Sequence, residues 1–141
     1  MNREIKFRVW LKEKKQMIQD VHICPEYGWL VMSDNDALEE TCGKVSEKEL
    51  IWMQYTNLKD KNGVEVYEND IIDIHQTVND YNQFVIQYDN YKFSARYYNQ
   101  KTKQILGWYQ YDLDELFEIN ETEKEMEVIG NIYENEVETN E

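Results

Sequence analysis

Cysteine and histidine are scarce, with 2 of each in 141 residues, too few for a disulfide framework or for the common zinc spacings. Proline occurs once, at Pro25, and glycine five times, so neither a collagen-like repeat nor a long flexible linker is encoded. No run approaches the roughly 18 apolar residues of a spanning helix. The N-terminus carries Arg3, Glu4, Lys6 and Arg8, where a signal peptide needs an apolar core. A soluble, cytoplasmic protein without membrane attachment is expected. Basic residues are also in deficit: 15 Lys and Arg face 29 Asp and Glu, for a net charge of −14 and a pI near 4.5. Nonspecific affinity for nucleic acid comes mainly from clustered cations, so direct nucleic-acid binding is not expected. The same deficit disfavours anionic membranes. There is no GxSxG elbow, P-loop or glycine-rich dinucleotide fingerprint, and so no catalytic residue or cofactor is predicted.

Aromatic residues, by contrast, are plentiful, with 11 Tyr and 4 Trp, a bias toward strands. The most legible stretch is Met53 to Ile74. Leu50, Trp52 and Gln54 alternate there with Ile51, Met53 and Tyr55, the period of a strand. Asn62-Gly63 predicts a type I′ hairpin turn, in which both central residues take positive φ. Val64 and Val66 share a face of the returning strand. Asn69 is expected in the left-handed region, which asparagine tolerates better than most residues. Asp70 is expected to bond backbone amides in that turn.

Upstream, residues 5–10 alternate, with Ile5, Phe7 and Val9 on one face and Lys6, Arg8 and Trp10 on the other. A second strand follows over 17–23. Pro25 ends it, Tyr27-Gly28 reverses the chain, and 29–32 forms a third. Residues 33–48 carry helix-start signals at Ser33 and Ser46 without a clear helical run. Downstream, Gln76 to Asn82 is polar and predicted to be a loop. Strands are expected over 84–88, over 91–98 with Tyr91, Phe93, Ala95 and Tyr97 sharing a face, and over 105–111. A helical turn over 112–117 would place Leu113, Leu116 and Phe117 inward. The acidic stretch 118–127 precedes a closing strand, 128–133, in which Gly130 marks a bulge or a close backbone approach. Residues 134–141 carry too little apolar surface to order themselves. Short strands at this spacing indicate a mainly β protein with a small barrel.

Three segments resemble the YopX family of phage and prophage proteins: Met53-Gln-Tyr-Thr-Asn-Leu-Lys-Asp-Lys-Asn-Gly with Val66-Tyr-Glu-Asn-Asp-Ile-Ile, the opening Ile5-Lys-Phe-Arg-Val-Trp, and the closing Glu127-Val-Ile-Gly-Asn-Ile-Tyr-Glu-Asn. Asn57 and Asn69 stand where the family usually has glycine, and both keep positive φ accessible. The resemblance implies an SH3-like barrel in the C-terminal part and no established activity. It also places the protein in the cytoplasm of a bacterial host. The expected organisation is an N-terminal strand-rich subdomain over 1–49 that could serve as an oligomerisation arm, a barrel over 50–134, and an acidic flexible tail over 135–141.

The one metal-like grouping is His22, Cys24, Cys42 and His75, which lacks a CxxC or HxxxH spacing, so single structural residues are the expected reading and no metal is predicted. Glu68, Asp70 and Asp73 are close enough in sequence for paired-carboxylate chemistry, but a turn-stabilising role for Asp70 fits better. Tyr55, Tyr67, Tyr88, Tyr91, Tyr97, Tyr98, Tyr109 and Tyr111 could form a base-stacking platform. Such platforms lie in basic grooves, so core packing and subunit contact are expected for most of these rings. Two functions remain in view. One is a non-enzymatic, homo-oligomeric interaction factor whose N-terminal strands pair between subunits, with a host protein as a further partner. The other is an acidic mimic of nucleic acid that blocks a host DNA- or RNA-binding protein.

Overall fold

The computed structural model describes residues 4–24, 30–32, 50–78, 80–89 and 91–137, and at some of these strand positions the backbone alone. The expectations for Pro25, Tyr27-Gly28, residues 33–48 and Cys42 lie outside the described residues. The described chain is mainly antiparallel β: β1 (Phe7–Leu11), β2 (Gln16–Cys24), β3 (Leu30–Met32), β4 (Leu50–Lys59), β5 (Glu65–Tyr67), β6 (Asp70–Val78), β7 (Tyr81–Asp89), β8 (Lys92–Asn99), β9 (Gln104–Asp112) and β10 (Glu127–Asn131). One short helix, α1 (Leu113–Glu118), and a 3-10 helix (Ile119–Lys124) separate β9 from β10. Two compact units divide the chain, Met1–Tyr55 and Thr56–Glu141, so Leu50–Tyr55, expected to open the second domain, belongs with the first.

In the first unit β1 lies between β2 and β4, with Val9 opposite Ile18 on one side and Trp52 on the other. Val9, Leu11, Ile18 and Leu50 form its buried cluster, with Val21 and Trp52 packed against it. Within the chain β1 has a neighbour on each side, because Leu50–Gln54 pairs with it opposite β2. The facial assignment changes too. Arg8 and Trp10 are buried along with Val9, whereas Ile5 precedes the strand and is exposed.

In the second unit β6, β7, β8 and β9 follow one another as a meander, and β10 returns beside β6, giving the order β10-β6-β7-β8-β9. One face carries Ile72, Phe84, Ile86, Ala95 and Tyr97, closed by Leu113, Leu116, Phe117 and Met126. On the other face Ile71 and Val85 pack with Tyr98, Ile132 and Val137. That second cluster corrects the expected fraying for residues 134–137, and residues 138–141 of the expected acidic tail lie outside the described residues. Val137 is buried and its N–H donates to the Ile132 carbonyl at 2.9 Å. Asn131 Oδ1 accepts from the amides of Tyr133 and Glu134. A single valine and one capping asparagine hold a segment whose composition reads as disordered.

Two further expectations are corrected. The predicted loop 76–82 is instead the end of β6 and the start of β7, because Val78 and Tyr81 pair across the reversal and both pack on the core. The register shifts between Asp73 and Val78, with His75 at φ 55°. This bulge breaks the alternation that would have marked a strand. Tyr91 does not join Phe93, Ala95 and Tyr97 on β8 but sits in the turn before it, at φ 66°.

The Asn62-Gly63 reversal also takes another form. Of the pair only Gly63 has positive φ, at 82°, and Asp60 organises the turn. Its Oδ1 accepts from the amides of Asn62 (2.8 Å) and Val64 (2.9 Å), and its Oδ2 accepts from the Val128 amide at 3.0 Å. The Lys61 amide donates to the Met126 carbonyl alongside, so this loop is tied to β10. Val64 stays exposed while Val66 is fully buried.

The next turn rests on Asn69 and Asp70. Asn69 has φ 68°, its N–H donates to the Ile86 carbonyl, and its carbonyl accepts from Ile132. The buried carboxylate of Asp70 accepts from the Tyr67 amide at 2.8 Å. At Gly130 the register of β10 shifts, and an added Cβ would lie 2.9 Å from the Asn135 Cγ.

Burial raises the Asp60 pKa, but the amides of Val128, Val64 and Asn62, together with Lys61, outweigh it and hold the carboxyl below its ordinary value of 3.8. A depressed folded value means this stabilisation is complete above the unfolded pKa and is lost as pH falls through the folded one. Asp60→Ala should lower stability by about 2–4 kcal/mol at pH 7, since three amides lose a charged acceptor. Urea denaturation at pH 7 and pH 3 checks both points: the gap between wild type and variant narrows in acid. Gly130→Ala should cost about 1–3 kcal/mol through overpacking against Asn135, measured in the same way.

Candidate functional site

A cleft of about 470 Å³ opens in the second unit between the end of β4, the start of β8, α1 and the 3-10 helix. Its apolar lining comes from Leu58, Phe93, Leu113 and Phe117. Each is placed by a local cause. Asn57, at φ 70°, kinks β4, and the Thr56 hydroxyl secures the kink by donating to the Val66 carbonyl at 2.7 Å and accepting from the Leu58 amide at 3.2 Å. Leu113, Leu116 and Phe117 fall on one face of α1 by their three- and four-residue spacing, and all three are buried. The helix is followed at once by the 3-10 turn, whose buried Thr122 hydroxyl donates to the Leu116 carbonyl at 2.6 Å.

The polar lining is mostly acidic. Asp114, Glu118 and Glu123 are exposed around the cleft. Lys92 is the one cation among the lining residues, and its ammonium lies 2.8 Å from Asp112 Oδ1. The hydrogen bond to Asp112 raises the lysine's pKa against a smaller effect of burial, with Asp112, Glu115 and Asp114 adding to the rise. Its charge is thus offset locally, and the opening as a whole is negative.

The cleft continues onto the β7–β8 hairpin. Phe93 in the lining meets Tyr88 edge to face, with centroids 5.2 Å apart, and Tyr88 is 48% exposed. Tyr91 at the tip is 96% exposed. An ion pair between Arg96 and Asp89, at 2.7 Å, joins the middle of β8 to the last residue of β7. The other tyrosines do not form a platform. Tyr55, Tyr67, Tyr97 and Tyr98 are buried, and burial raises the pKa of Tyr98. Tyr97 stacks on Tyr81 at 4.7 Å, and its hydroxyl donates to that of Tyr111 at 3.1 Å. The Tyr109 side chain lies outside the described residues.

Among the described residues the remaining candidates do not converge. His22 and Cys24 lie at the end of β2, at positions where only the backbone is described, and Cys42 lies outside the described residues. Among the described residues no group of three or more His, Cys, Asp or Glu could hold a metal ion. His75, on the β6 bulge, directs Nε2 at Glu127 Oε2 (3.2 Å) and Nδ1 at Asp73 Oδ1 (3.8 Å), and Lys61 reaches the same Glu127 oxygen at 3.4 Å. The contact with Glu127 lets the imidazole brace β6 against β10. Asp70 and Asp73 also act separately: Asp70 caps its turn, while Asp73 accepts from the His75 amide and the Asn82 side chain. No helix among the described residues is long and apolar enough to cross a membrane. Sequence reasoning missed the cleft, although the inward set Leu113, Leu116 and Phe117 was a partial signal for it.

A family model described as "YopX protein" matches residues 6–137. The crystal structure of protein EF1440 from Enterococcus faecalis is similar at 23% identity and a TM-score of 0.58, over 94% of this chain and 96% of that one. At that identity the likeness shows a shared fold. No curated protein matches the chain.

Phe117→Ala should cost about 3 kcal/mol because the ring packs into the core as well as the cleft, whereas Glu118→Lys, on an exposed position, should change stability by less than about 0.5 kcal/mol. Urea midpoints for the two variants test which side chains line the cleft at a structural cost and which only border it.

Proposed function

The chain belongs to the YopX family, and on that premise we propose that it is a phage or prophage accessory factor that acts by binding other proteins, without catalysis of its own, and that it works as an oligomer in the host cytoplasm. The observation that carries this reading is the β7–β8 tip. A tyrosine ring 96% exposed, on a backbone at φ 66°, stands in a conformation that disfavours residues with a Cβ, on a hairpin braced by an ion pair. Rigid, exposed aromatics are the side chains that dominate protein interfaces. The second unit supports the reading as an SH3-like barrel, since four meandering strands are followed by a helical turn and a fifth strand that returns beside the first.

The alternative, mimicry of nucleic acid, draws on the net charge of −14. A phosphate mimic needs ranked carboxylates and gains nothing from an apolar floor. Here Asp114, Glu118 and Glu123 surround Leu58, Phe93, Leu113 and Phe117, which favours a protein ligand.

Tyr91→Gly separates binding from folding. Glycine adopts positive φ without the Cβ penalty, so the variant should be as stable as wild type or more stable, by up to about 1 kcal/mol, while affinity capture from host cells loses the proteins the wild type retains. Undiminished capture by a well-folded Tyr91→Gly protein would remove the interface from this hairpin. Light scattering at micromolar concentration tests oligomerisation, with a strict monomer as the contrary result.

A further inference from the structure

We infer that the cleft receives a segment of a partner protein in which a bulky aliphatic or aromatic side chain is flanked by lysine or arginine. The inference rests on the interaction reading above and names the chemistry of the contact. Three features lead to it. The floor is hydrophobic, made by Leu58, Phe93 and Phe117, so it rewards an apolar insertion. The volume, about 470 Å³, lies in the range of sites that enclose a ligand group.

Charge completes the specification. Asp114, Glu118 and Glu123 are exposed at the opening, and Lys92 is already engaged by Asp112. An anionic ligand would meet repulsion, while a cationic one is steered in and held in register. Isolated surface charges contribute little to affinity, so the apolar side chain supplies the anchor and the cations supply selection. A protein segment fits better than a small molecule because the contact surface continues past the cleft, from Phe93 through Tyr88 toward the hairpin tip. A compact ligand would leave those rings in water.

The test uses the full chain, labelled with nitrogen-15, titrated with blocked hexapeptides of alternating lysine and leucine, lysine and serine, or glutamate and leucine. The lysine–leucine peptide should give saturable amide shifts centred on Leu58, Lys92, Phe93, Leu113 and Glu118. The other two peptides should bind at least about tenfold more weakly, as should the lysine–leucine peptide to a Glu118→Lys, Glu123→Lys variant with wild-type spectral dispersion. Equal binding of the lysine–serine peptide would reduce the effect to a diffuse field and overturn the inference. So would shifts centred elsewhere, binding that survives the double reversal, or no binding at millimolar peptide. The two readings fail separately. If Tyr91→Gly abolishes cellular capture while the peptides ignore the cleft, the interaction reading stands and this occupant falls. If the peptides bind as described but Tyr91→Gly leaves capture intact, the cleft assignment stands and the hairpin interface falls.

Discussion

The Asp60 carboxylate is the constraint on which the second unit depends. Its two oxygens gather three amides, two from the turn that follows it and one from Val128, 68 positions away in sequence. A strand at the end of a sheet offers unpaired donors and acceptors that recruit other chains unless something occupies them. On the outer side of β10 the occupant is this turn, with Asp60 taking the Val128 N–H and the Lys61 N–H reaching the Met126 carbonyl. Met126, fully buried, is thereby held in the main cluster beside Leu116 and Phe117. A single charged acceptor thus serves as turn former, edge cover and anchor for the segment that carries the cleft's helical wall.

What could be read from the sequence divides according to how far away the cause lies. Asn69 in the left-handed region, the inward set on α1 and the irregularity at Gly130 each follow from a local preference: asparagine's tolerance, a three-and-four spacing, the lack of a Cβ. Family membership was legible for a similar reason, since it rests on contiguous segments. The misreadings have distant causes. Whether Val137 is ordered depends on Ile71 and Val85, more than 50 residues earlier. At the β6 bulge, His75 shifts the register, and a pattern of period two cannot survive an inserted residue. The Asn62-Gly63 turn failed as a type I′ prediction because Asp60, two positions earlier, offered its amides a charged acceptor.

The cleft was still less accessible to sequence reasoning. Its residues come from positions 56–58, 92–93 and 113–123, and no motif spans them. Negative charge was visible in the composition, and on its own it read as solubility or as mimicry. Only the folded arrangement shows that several of those acids surround phenylalanine and leucine. The neutralisation of Lys92 by Asp112 was equally hidden, because the pair bridges the start of β8 and the end of β9.

Backbone conformation offers an internal comparison that bears on function. Lys15, Lys103, Glu121 and Glu136 also take positive φ and are exposed. Each is a long charged side chain, which keeps a turn solvated. Tyr91 occupies the same kind of position with a large ring in water. Neither solvation nor turn propensity favours tyrosine there, since Gly, Asn and Asp are the residues such turns prefer. The chain uses those residues elsewhere, at Gly63, Asn57, Asn69 and Asp80, so the preferred chemistry was within its repertoire. A residue that is unfavourable for both backbone and solvent, set beside an apolar cleft with the ring pair of Tyr88 and Phe93 between them, is accounted for if a second surface covers it.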